Sequence, residues 1–378
     1  MKRIYLDHAA TSPMIPEVTR VIAEAMDLYI GNPSSIHSEG RTARAKIEES
    51  RKKIARLLNA SIGEIFFTSG GTEANNTAIK CAVRDLNVQR IISTSIEHHA
   101  VLHSIEAMRR DFGVEVCFLP LDALGRINLN DLQRLLQDTT RPTLVSIMHG
   151  NNEIGNLSPI SEIGNLCEAY GAFFHTDAVQ TIGHFAVDLQ STKAHFLAAS
   201  AHKFNGPKGT GILFVRHGLR INPLIDGGGQ ERNIRAGTES THQIMGMATA
   251  LEIAYANLDQ RKAHHLELKE YFKSRVLAIH DQIYINGDQE KALNHLLSVS
   301  FPAGPKSDML LLQLDMAGVS ASGGSACTSG AEQESHVLEA IGHPSDRKTI
   351  RFSFSHINTR EELDYVLTLL AGWFAPEV

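Results

Sequence analysis

The sequence predicts an α/β protein in which a mostly parallel β-sheet is sandwiched between helices and is followed by a smaller α+β domain. Short apolar runs alternate with helical patterns through the first two thirds of the 378 residues. These runs are nearly continuous in apolar residues, which is typical of strands buried on both faces of a parallel sheet. A hydrophobic fraction of 43% and a charged fraction of 21% indicate a globular chain of about two domains.

The larger domain is predicted from strands that alternate with helices. Its predicted strands cover residues 64–68, 90–93, 115–119, 143–148, 173–176, 196–200 and 211–215. Its predicted helices cover residues 72–86, 99–111 and 161–170. Because ligands of such sheets bind at the carboxyl ends of the strands, we expect functional side chains directly after them.

The smaller domain is predicted from the last third of the chain. A helical stretch over residues 242–278 leads into it, and strands at 282–286, 296–301 and 349–354 precede a last helix at 360–374. We therefore assign residues 13–255 to a large domain. Residues 1–12 and 256–378 form a small domain, which carries a Gly/Ser-rich loop around Cys327.

Composition excludes several classes of partner. The chain has 36 Lys and Arg against 42 Asp and Glu, a net charge of −6, which gives no electrostatic reason to expect nucleic acid or an anionic membrane. No apolar run has the length of a membrane span or a signal peptide, so we expect a cytoplasmic location. The four cysteines form no C-x-x-C pair and are expected to be free thiols, and no resident metal site is predicted.

Lys203 is the first candidate catalytic residue. It lies in the run SAHKFNGPKG at residues 200–209, directly after an apolar stretch that is predicted to be a strand. A lysine at the end of a buried strand is held in place and partly desolvated, which makes its amine a better nucleophile. Such a lysine suits Schiff-base chemistry with pyridoxal phosphate (PLP), whereas an ordinary solvated loop lysine is the alternative.

Three further segments contain groups that such a cofactor needs. Gly71 and Thr72 lie in a turn between a strand and a helix, where backbone N–H groups bind phosphate. Asp177 ends a predicted strand, so that its carboxylate suits a pyridinium nitrogen, and His98 ends another. The alternative for the turn at Gly71 and Thr72 is an ordinary capped turn. The alternative for Asp177 is a helix N-cap, and that for His98 is a buried core histidine.

Cys327 and Arg351 lie in the predicted small domain. Cys327 is in a nearly charge-free Gly/Ser-rich loop, whereas Cys81, Cys117 and Cys167 lie in apolar helical or strand segments and are expected to be core residues. Arg351 lies inside a predicted strand, where an inward-facing guanidinium needs an anionic partner. A substrate carboxylate would serve, and so would a structural salt bridge.

These motifs together resemble the cysteine desulfurase family of class-V, fold-type-I PLP enzymes, in the nitrogenase-associated and housekeeping group. The resemblance runs almost end to end. Its motifs are YLDHAAT at 5–11, GNPSS at 31–35, TSGGTE at 68–73, HGNNEIG at 149–155, DAVQ at 177–180, SAHKFNGPKG at 200–209, RAGTE at 235–239, GSACTS at 324–329 and RFS at 351–353.

The resemblance implies a role for each residue around the PLP ring. Lys203 would carry the cofactor as a Schiff base, and His98 would stack on the ring. Asp177 would pair with the pyridine nitrogen. Gln180 and Asn152 would approach the ring oxygen or the substrate.

The resemblance also implies how the phosphate is held and that the protein is a homodimer. Gly71, Thr72, Ser200 and His202 would bind the phosphate within one chain. Thr238 would reach the phosphate of the partner's site, so that each site is shared between two subunits.

The implied activity is conversion of L-cysteine to L-alanine. Arg351 would bind the substrate carboxylate, and Cys327 would take the sulfur as a persulfide for an iron–sulfur scaffold or another sulfur-acceptor protein. Transient iron–sulfur ligation by Cys327 is a further expectation. Selenocysteine lyase or another class-V aminotransferase activity is the alternative, and a non-catalytic sulfur-carrier partner is a third.

Overall fold

A computed structural model describes residues 3–323 and 335–374 of the chain. Its strands, in chain order, are β1 (Ile4–Tyr5), β2 (Ile65–Thr68), β3 (Arg90–Ser93), β4 (Glu115–Phe118), β5 (Thr143–Ser146), β6 (Phe173–Asp177), β7 (Phe196–Ser200), β8 (Gly211–Val215), β9 (Tyr284–Ile285), β10 (Leu296–Phe301), β11 (Val319–Ser320) and β12 (Lys348–Ser353).

Helices occupy most of the chain between these strands. In chain order they are α1 (Pro16–Leu28), α2 (Ser38–Leu57), α3 (Gly71–Leu86), α4 (His99–Phe112), α5 (Leu129–Leu136), α6 (Ile160–Ala169), α7 (Thr241–Ala256), α8 (Leu258–Leu277), α9 (Pro305–Asp308), α10 (Leu310–Met316), α11 (His336–Ala340) and α12 (Arg360–Phe374). Within the described ranges, none of them combines the length and apolar character that crossing a bilayer requires.

The central sheet of the described structure has the strand order β2-β8-β7-β6-β5-β3-β4. Neighbouring strands from β7 to β4 run parallel, whereas β8 is antiparallel to both β2 and β7. The prediction of a mostly parallel sheet is confirmed. The parallel strands bring the carboxyl ends of β6 and β7 together, which places Asp177 beside Ser200 and the segment that leads to Lys203.

Helices cover both faces of this sheet, as the continuous apolar runs predict. Phe67, Leu197 and Phe214 pack into the core that also contains residues of α7. The residues next to these three in the same strands pack into a second core, which contains residues of α3 and α4. Because successive side chains of a strand point to opposite faces, this division shows that the strands are buried on both sides.

A separate antiparallel sheet, in the order β12-β10-β9, packs with α8 and α12. The N-terminal strand β1 pairs in parallel with β11, and Asp7 forms a bridge to Ser353 at the end of β12. Ile4 and Leu6 pack in the same core as Phe352. The assignment of residues 1–12 to the small domain with 256–378, and the boundaries at 13 and 255, stay predictions.

Two predicted elements differ from the structure in more than a shift of a boundary. The helical stretch predicted over 242–278 is two helices, α7 and α8, which are separated at Asn257. The strand predicted at 282–286 is reduced to Tyr284–Ile285, because only these two residues pair with β10. Strands β3, β7, β8 and β10 and helix α12 have the predicted bounds.

A buried ion pair joins α2 to the segment after β8. Both η nitrogens of Arg51 donate to the carboxylate of Glu231 at 2.8 Å, and the same carboxylate accepts the Phe67 N–H at 2.8 Å. Both charged side chains are only 2% exposed. We expect Arg51→Ala to lower the free energy of unfolding by about 3–5 kcal/mol, because the carboxylate is left buried without its counter-charge. Urea unfolding followed by circular dichroism measures this change.

The matched control for that variant is Arg56→Ala on the same helix. Its guanidinium is 71% exposed and lies 3.6 Å from Glu252, so the expected change is at most about 1 kcal/mol. If the two variants unfold at the same urea concentration, the Arg51 pair does not stabilise the fold as argued.

Buried histidines make the stability of the fold depend on pH. Burial lowers the pKa of His149 to about 4 and that of His175 to about 3. In the unfolded chain these rings protonate near their ordinary pKa of about 6.5. Between about pH 6.5 and pH 4 the unfolded state therefore binds more protons, and stability falls as the pH falls. Each ring contributes at most about 1.4 kcal/mol per pH unit in that window.

Urea unfolding at about pH 7.5 and about pH 5 tests this dependence. His37→Gln is the control, since His37 is exposed and its removal should leave the difference between the two pH values unchanged. A free energy of unfolding that is equal at both pH values, or larger at the lower one, would contradict the argument.

Candidate active site

A cavity of about 320 Å³ opens at the carboxyl ends of the parallel strands. It is lined by residues from the ends of β6 and β7, the start of α3, the segment before α4, the N-terminal segment and β12. The residues predicted from the sequence that line it are Gly71, Thr72, His98, Asn152, Asp177, Gln180, Ser200, His202, Lys203 and Arg351. The structure thus brings together residues that lie up to 280 positions apart, from Gly71 to Arg351.

Lys203 lies three residues beyond β7, at the end of a short 3₁₀ turn over Ala201–Lys203. Its Nζ donates hydrogen bonds to the main-chain oxygens of Ala9 at 2.6 Å and Ala10 at 2.9 Å. The side chain is partly buried and lines the cavity, unlike that of an ordinary solvated loop lysine. The segment after β1 therefore holds the amine at the cavity wall.

Asp177 ends β6 and is 5% exposed. One carboxylate oxygen accepts the Val179 N–H at 2.9 Å, which is the local turn that the alternative interpretation expects. The other accepts a hydrogen bond from Asn75 Nδ2 at 2.6 Å. These contacts fix the carboxylate at the cavity wall.

A chain of buried hydrogen bonds continues behind Asp177. Asn75 Oδ1 lies 3.0 Å from His175 Nε2, and Ser146 Oγ lies 2.8 Å from His175 Nδ1. Since an amide oxygen only accepts, Nε2 carries the ring proton and Nδ1 accepts from the serine hydroxyl. The low pKa that burial gives His175 keeps this ring neutral at neutral pH, so the arrangement does not change there.

His98 caps the N-terminus of α4. Its Nδ1 accepts the Ala100 N–H at 3.1 Å, so the proton of the neutral ring is on Nε2. Burial is the largest cause of a lowered pKa at His98, and the charge of Lys203 lowers it further, although Asp177 opposes the shift. The ring is therefore neutral at neutral pH and is oriented by its own helix.

The opposite end of the cavity has the features of an anion site. Helix α3 begins at Gly71, and the N–H groups of its first turn have no intrahelical acceptor. A Cβ at Gly71 would lie 2.6 Å from a methyl carbon of Val179, so only glycine fits this close approach. Ser200 and His202 line the same cavity, and burial lowers the pKa of His202 to about 4.

Arg351 lies in β12, and its side chain is 2% exposed. Its guanidinium donates to the main-chain oxygen of Asn152 at 2.7 Å and to Asp7 Oδ1 at 2.8 Å. From the sequence, either a substrate carboxylate or a structural salt bridge could neutralise Arg351. In the structure, Asp7 supplies this counter-charge. Nε of Arg351 is buried and has no hydrogen-bond partner within the described part of the chain, so one donor of the fork remains available.

Several residues of the cavity wall were not predicted as site residues. The main-chain oxygens of Ala9 and Ala10 leave no side-chain signal. Asn75 does leave one, because it lies one helical turn after Gly71 and shares its face of α3. His99 and His336 also line the cavity, with ring centroids 4.5 Å apart.

Among the described residues, one predicted site residue is not part of this wall. Thr238 is exposed and does not line the cavity of its own chain, and its role in a partner's site stays a prediction. Cys327 lies outside the described residues. Of the other cysteines, Cys81 and Cys167 are buried as predicted, and burial raises the pKa of Cys81 to about 12. Cys117 is only half-buried, because it lies in the outermost strand β4.

The sequence profile of the aminotransferase class-V family matches residues 4–366. The chain belongs to this family. The cysteine desulfurase IscS of Dictyoglomus turgidum is 44% identical over 375 residues, which cover 98% of this chain and 94% of that protein. Among solved structures, a NifS-like protein has a TM-score of 0.90 at 34% identity, with 98% of both chains covered. SspA in complex with cysteine has a TM-score of 0.81 at 32% identity, covering 94% of this chain and 100% of that one.

The cofactor of class-V aminotransferases is PLP, and the cavity suits it. A lysine amine, a buried carboxylate and a glycine-opened helix start surround one space, which matches the aldehyde, the ring nitrogen and the phosphate of PLP. The protein is therefore a fold-type-I PLP enzyme of this family, with the mostly parallel sheet that the sequence predicts.

Proposed function

We propose that the protein is a PLP-dependent cysteine desulfurase, which converts L-cysteine to L-alanine and transfers the sulfur first to Cys327. The observation that carries this proposal is the convergence of Lys203, Asp177 and His98 on one cavity that Arg351 also lines. The names of the curated relatives support the same activity. The sequence adds a thiol in the GSACTS segment, which an aminotransferase would not need.

The family resemblance and the lining of the cavity support the following roles for the residues that would hold PLP. Lys203 would bind it covalently, His98 would lie against its ring, and Asp177 would accept a hydrogen bond from its ring nitrogen. PLP, when bound, supplies an electron sink for a negative charge on the substrate Cα. Asn75 keeps the Asp177 carboxylate in position for this role.

The remaining polar groups of the cavity would bind the phosphate and the substituents of the ring. Gly71, Thr72, Ser200 and His202 would bind the phosphate, with the free N–H groups at the start of α3. Gln180 lies at the cavity wall, and its Nε2 donates to the Ala9 oxygen at 2.9 Å. The amide oxygens of Gln180 and Asn152 would accept a hydrogen bond from the substrate or from the ring hydroxyl.

Lys203 would also move the proton of the reaction. With PLP and substrate bound, its amine would take the proton from Cα as general base and would return a proton to the product. The Ala9 and Ala10 oxygens accept hydrogen bonds from the amine, so they hold it at the cavity wall while it is not covalently bound. Fixing the base at the reacting atom lowers the activation free energy, by at most about 7–11 kcal/mol, because the cost of orienting the two groups is removed.

Arg351 would bind the substrate carboxylate. Asp7 and the Asn152 oxygen engage two donors of the guanidinium and fix its plane. The unpartnered Nε is the donor that a carboxylate in the cavity would satisfy. The carboxylate of L-cysteine thereby removes the cost of a buried, unpaired donor.

Cys327 would complete the transfer. Its thiolate attacks the substrate sulfur, an S–S bond forms, and the Cβ–S bond of the substrate breaks. The electron pair of the broken bond stays on the carbon fragment, which leaves as L-alanine after protonation. The outer sulfur of the Cys327 persulfide then passes to an acceptor, for which an iron–sulfur scaffold protein is the leading candidate.

The proposal includes the assembly and location of the enzyme. We expect a homodimer in which Thr238 reaches the phosphate of the partner's site, since Thr238 is exposed and does not line the cavity of its own chain. We expect a cytoplasmic location, as the free thiols Cys81, Cys117 and Cys167 suit a reducing compartment.

The test of the proposal is alanine and sulfide production by the PLP-loaded protein from L-cysteine with dithiothreitol. We expect alanine and sulfide in equal amounts over many turnovers. L-Selenocysteine is assayed in parallel, and turnover of selenocysteine alone would favour a selenocysteine lyase instead. A colourless protein that cannot be loaded with PLP, or a loaded one that releases no alanine, would refute the proposal.

Replacing Arg351 by lysine tests the role of its guanidinium. The variant keeps the positive charge but loses the planar guanidinium group. It therefore loses a charged hydrogen bond to the substrate, which contributes about 1.5–3 kcal/mol. We expect KM for L-cysteine to rise about 10- to 100-fold, with a smaller change in kcat.

The matched control for Arg351→Lys is Arg347→Lys. Arg347 precedes the same strand but bonds to Ser300, away from the cavity, so its KM should stay that of the unchanged protein. An unchanged KM in Arg351→Lys would show that Arg351 only pairs with Asp7.

A further inference from the structure

Three histidines form a cluster outside the cavity lining. His184 lies between β6 and β7, His265 lies on α8, and His295 directly precedes β10. One ring nitrogen from each lies within 4.8 Å of the other two. Since α8 and β10 belong to the predicted small domain, the cluster joins that part of the chain to the segment that precedes β7.

The hydrogen bonds of these rings leave nitrogen atoms without a partner. His184 Nε2 lies 3.0 Å from the main-chain oxygen of Lys203 and donates to it, so its Nδ1 keeps a lone pair. His265 Nε2 and His295 Nδ1 are buried and have no hydrogen-bond partner among the residues that the structure describes. A buried polar atom left unsatisfied costs about 1–3 kcal/mol, which a ligand at the cluster would recover.

The three rings are neutral at neutral pH. Burial lowers the pKa of His184 to about 4 and those of His265 and His295 well below the usual value. A metal ion binds the neutral imidazole through its lone pair, so these rings need not lose a proton before binding.

We propose that His184, His265 and His295 bind a late first-row transition-metal ion, with Zn²⁺ as the reference ion, at a site separate from the PLP cavity. Three imidazole ligands with an open fourth position form a common Zn²⁺ coordination. At a Zn–N distance of about 2.0–2.1 Å, tetrahedral ligand atoms lie about 3.4 Å apart. The ligands must therefore approach one another from separations of up to 4.8 Å.

This approach requires the rotation of at least one histidine side chain. The rings of His184 and His295 are stacked, with centroids 4.1 Å apart and planes 21° from parallel. Stacked rings cannot both direct a lone pair at one ion, so at least one of them turns about its side-chain bonds when the metal binds. The unpartnered His295 Nδ1 has no hydrogen bond to lose in that rotation.

Cationic neighbours restrict which metal binds. Arg261 lies one helical turn before His265 on α8, and its charge contributes to the lowered pKa of both His184 and His265. Lys269 lies one turn after it and donates to the Leu293 oxygen. This positive field opposes a dication, so binding needs the strong imidazole bonds of Zn²⁺, Ni²⁺ or Cu²⁺, and Mg²⁺ and Ca²⁺ are expected to be excluded.

The bound ion would connect the segment of Lys203 to the small domain. His184 contacts the Lys203 oxygen through one nitrogen and would hold the metal through the other. The metal would restrain α8 and the start of β10 against the segment of the lysine. We expect binding to raise Tm, because the unfolded chain does not present the three rings together.

The experiment measures metal binding to the PLP-loaded protein in a Cys327→Ser background, which removes a thiol that would bind Zn²⁺ itself. Calorimetric titration with Zn²⁺ and visible spectra with Co²⁺ are the probes. We expect one ion per chain, a raised Tm and no response to Mg²⁺. His265→Gln and His295→Gln should each weaken binding at least about 10-fold.

Two controls separate this site from other histidines. His264→Gln removes the neighbouring ring on α8, which bonds to the Asn358 oxygen, and His103→Gln alters the histidines beside the active-site cavity. Both should bind Zn²⁺ as the background protein does. Unchanged binding in His265→Gln and His295→Gln, or loss of binding in His103→Gln, would overturn the proposal.

If the variants of the buried histidines do not fold, a further measurement uses the protein in which all three histidines are kept. X-ray absorption at the zinc edge of the metal-loaded background protein should show a nitrogen-bound ion with the scattering pattern of imidazole. A shell without imidazole, or failure of Zn²⁺ to bind, refutes the site. None of these readouts depends on desulfurase activity.

Discussion

Replacing Lys203 by alanine is expected to remove covalent PLP binding and to lower alanine formation from L-cysteine at least about 1,000-fold. The variant loses the covalent attachment and also the general base, and a positioned base alone contributes about 100- to 10,000-fold. The Ala9 and Ala10 main-chain oxygens, which accept hydrogen bonds from the amine, are too weakly basic to act as general base in its place. The measurements are alanine formation and the visible absorbance of lysine-bound PLP.

The matched control is Lys208→Ala in the same glycine-rich segment. Lys208 is exposed and does not line the cavity, so PLP absorbance and activity should stay those of the unchanged protein. If the Lys203→Ala protein retains a lysine–PLP bond that borohydride reduces, another lysine carries the cofactor. Loss of absorbance in Lys208→Ala alone would lead to the same conclusion.

The strands that position this lysine could be predicted because burial on both faces leaves a plain signal. β3 and β7 are short, apolar and bounded by polar residues, and both have the predicted bounds. The direction of β8 could not be predicted in this way. A strand buried on both faces has the same apolar composition whether it runs parallel or antiparallel to its neighbours, and β8 is antiparallel to both.

Helix α2 shows why other elements were not predicted. Its inner face includes Arg51, which the sequence presents as one charge among many. The charge is buried because Glu231, 180 residues later, pairs with it. A partner so distant in the sequence leaves no local pattern, and the apolar stripe of the helix is interrupted where the arginine lies.

Some residues of the candidate site could be predicted from the sequence, and others could not. Asp177 and Lys203 were predicted because each follows a strand, and the ends of parallel strands meet. The Ala9 and Ala10 oxygens that hold Lys203 belong to the main chain, which every residue has. The contact of Asp7 with Arg351 depends on β1 pairing with β11, and a two-residue strand is too short to show a periodic pattern.

Replacing Cys327 by serine is expected to abolish sulfur transfer while leaving PLP bound. A hydroxyl is far less ionised and less nucleophilic than a thiol, so alanine and sulfide formation should fall at least about 100-fold. Lys203 and Asp177 are unchanged in this variant, so the absorbance of lysine-bound PLP and its change on adding L-cysteine should persist. Steady-state alanine formation and absorbance spectra separate the two effects.

Cys117→Ser is the control for the loss of a thiol. Cys117 is the half-buried cysteine of β4, away from the cavity, and burial with the nearby Glu115 raises the pKa of its thiol. It should therefore be a poor nucleophile at neutral pH, and its replacement should leave the activity unchanged. Full sulfur transfer by Cys327→Ser would mean that sulfide leaves the substrate without a protein persulfide. Loss of bound PLP in Cys327→Ser would instead mean that Cys327 supports the cofactor site. Each of these two results would refute the assignment of Cys327 as the sulfur acceptor.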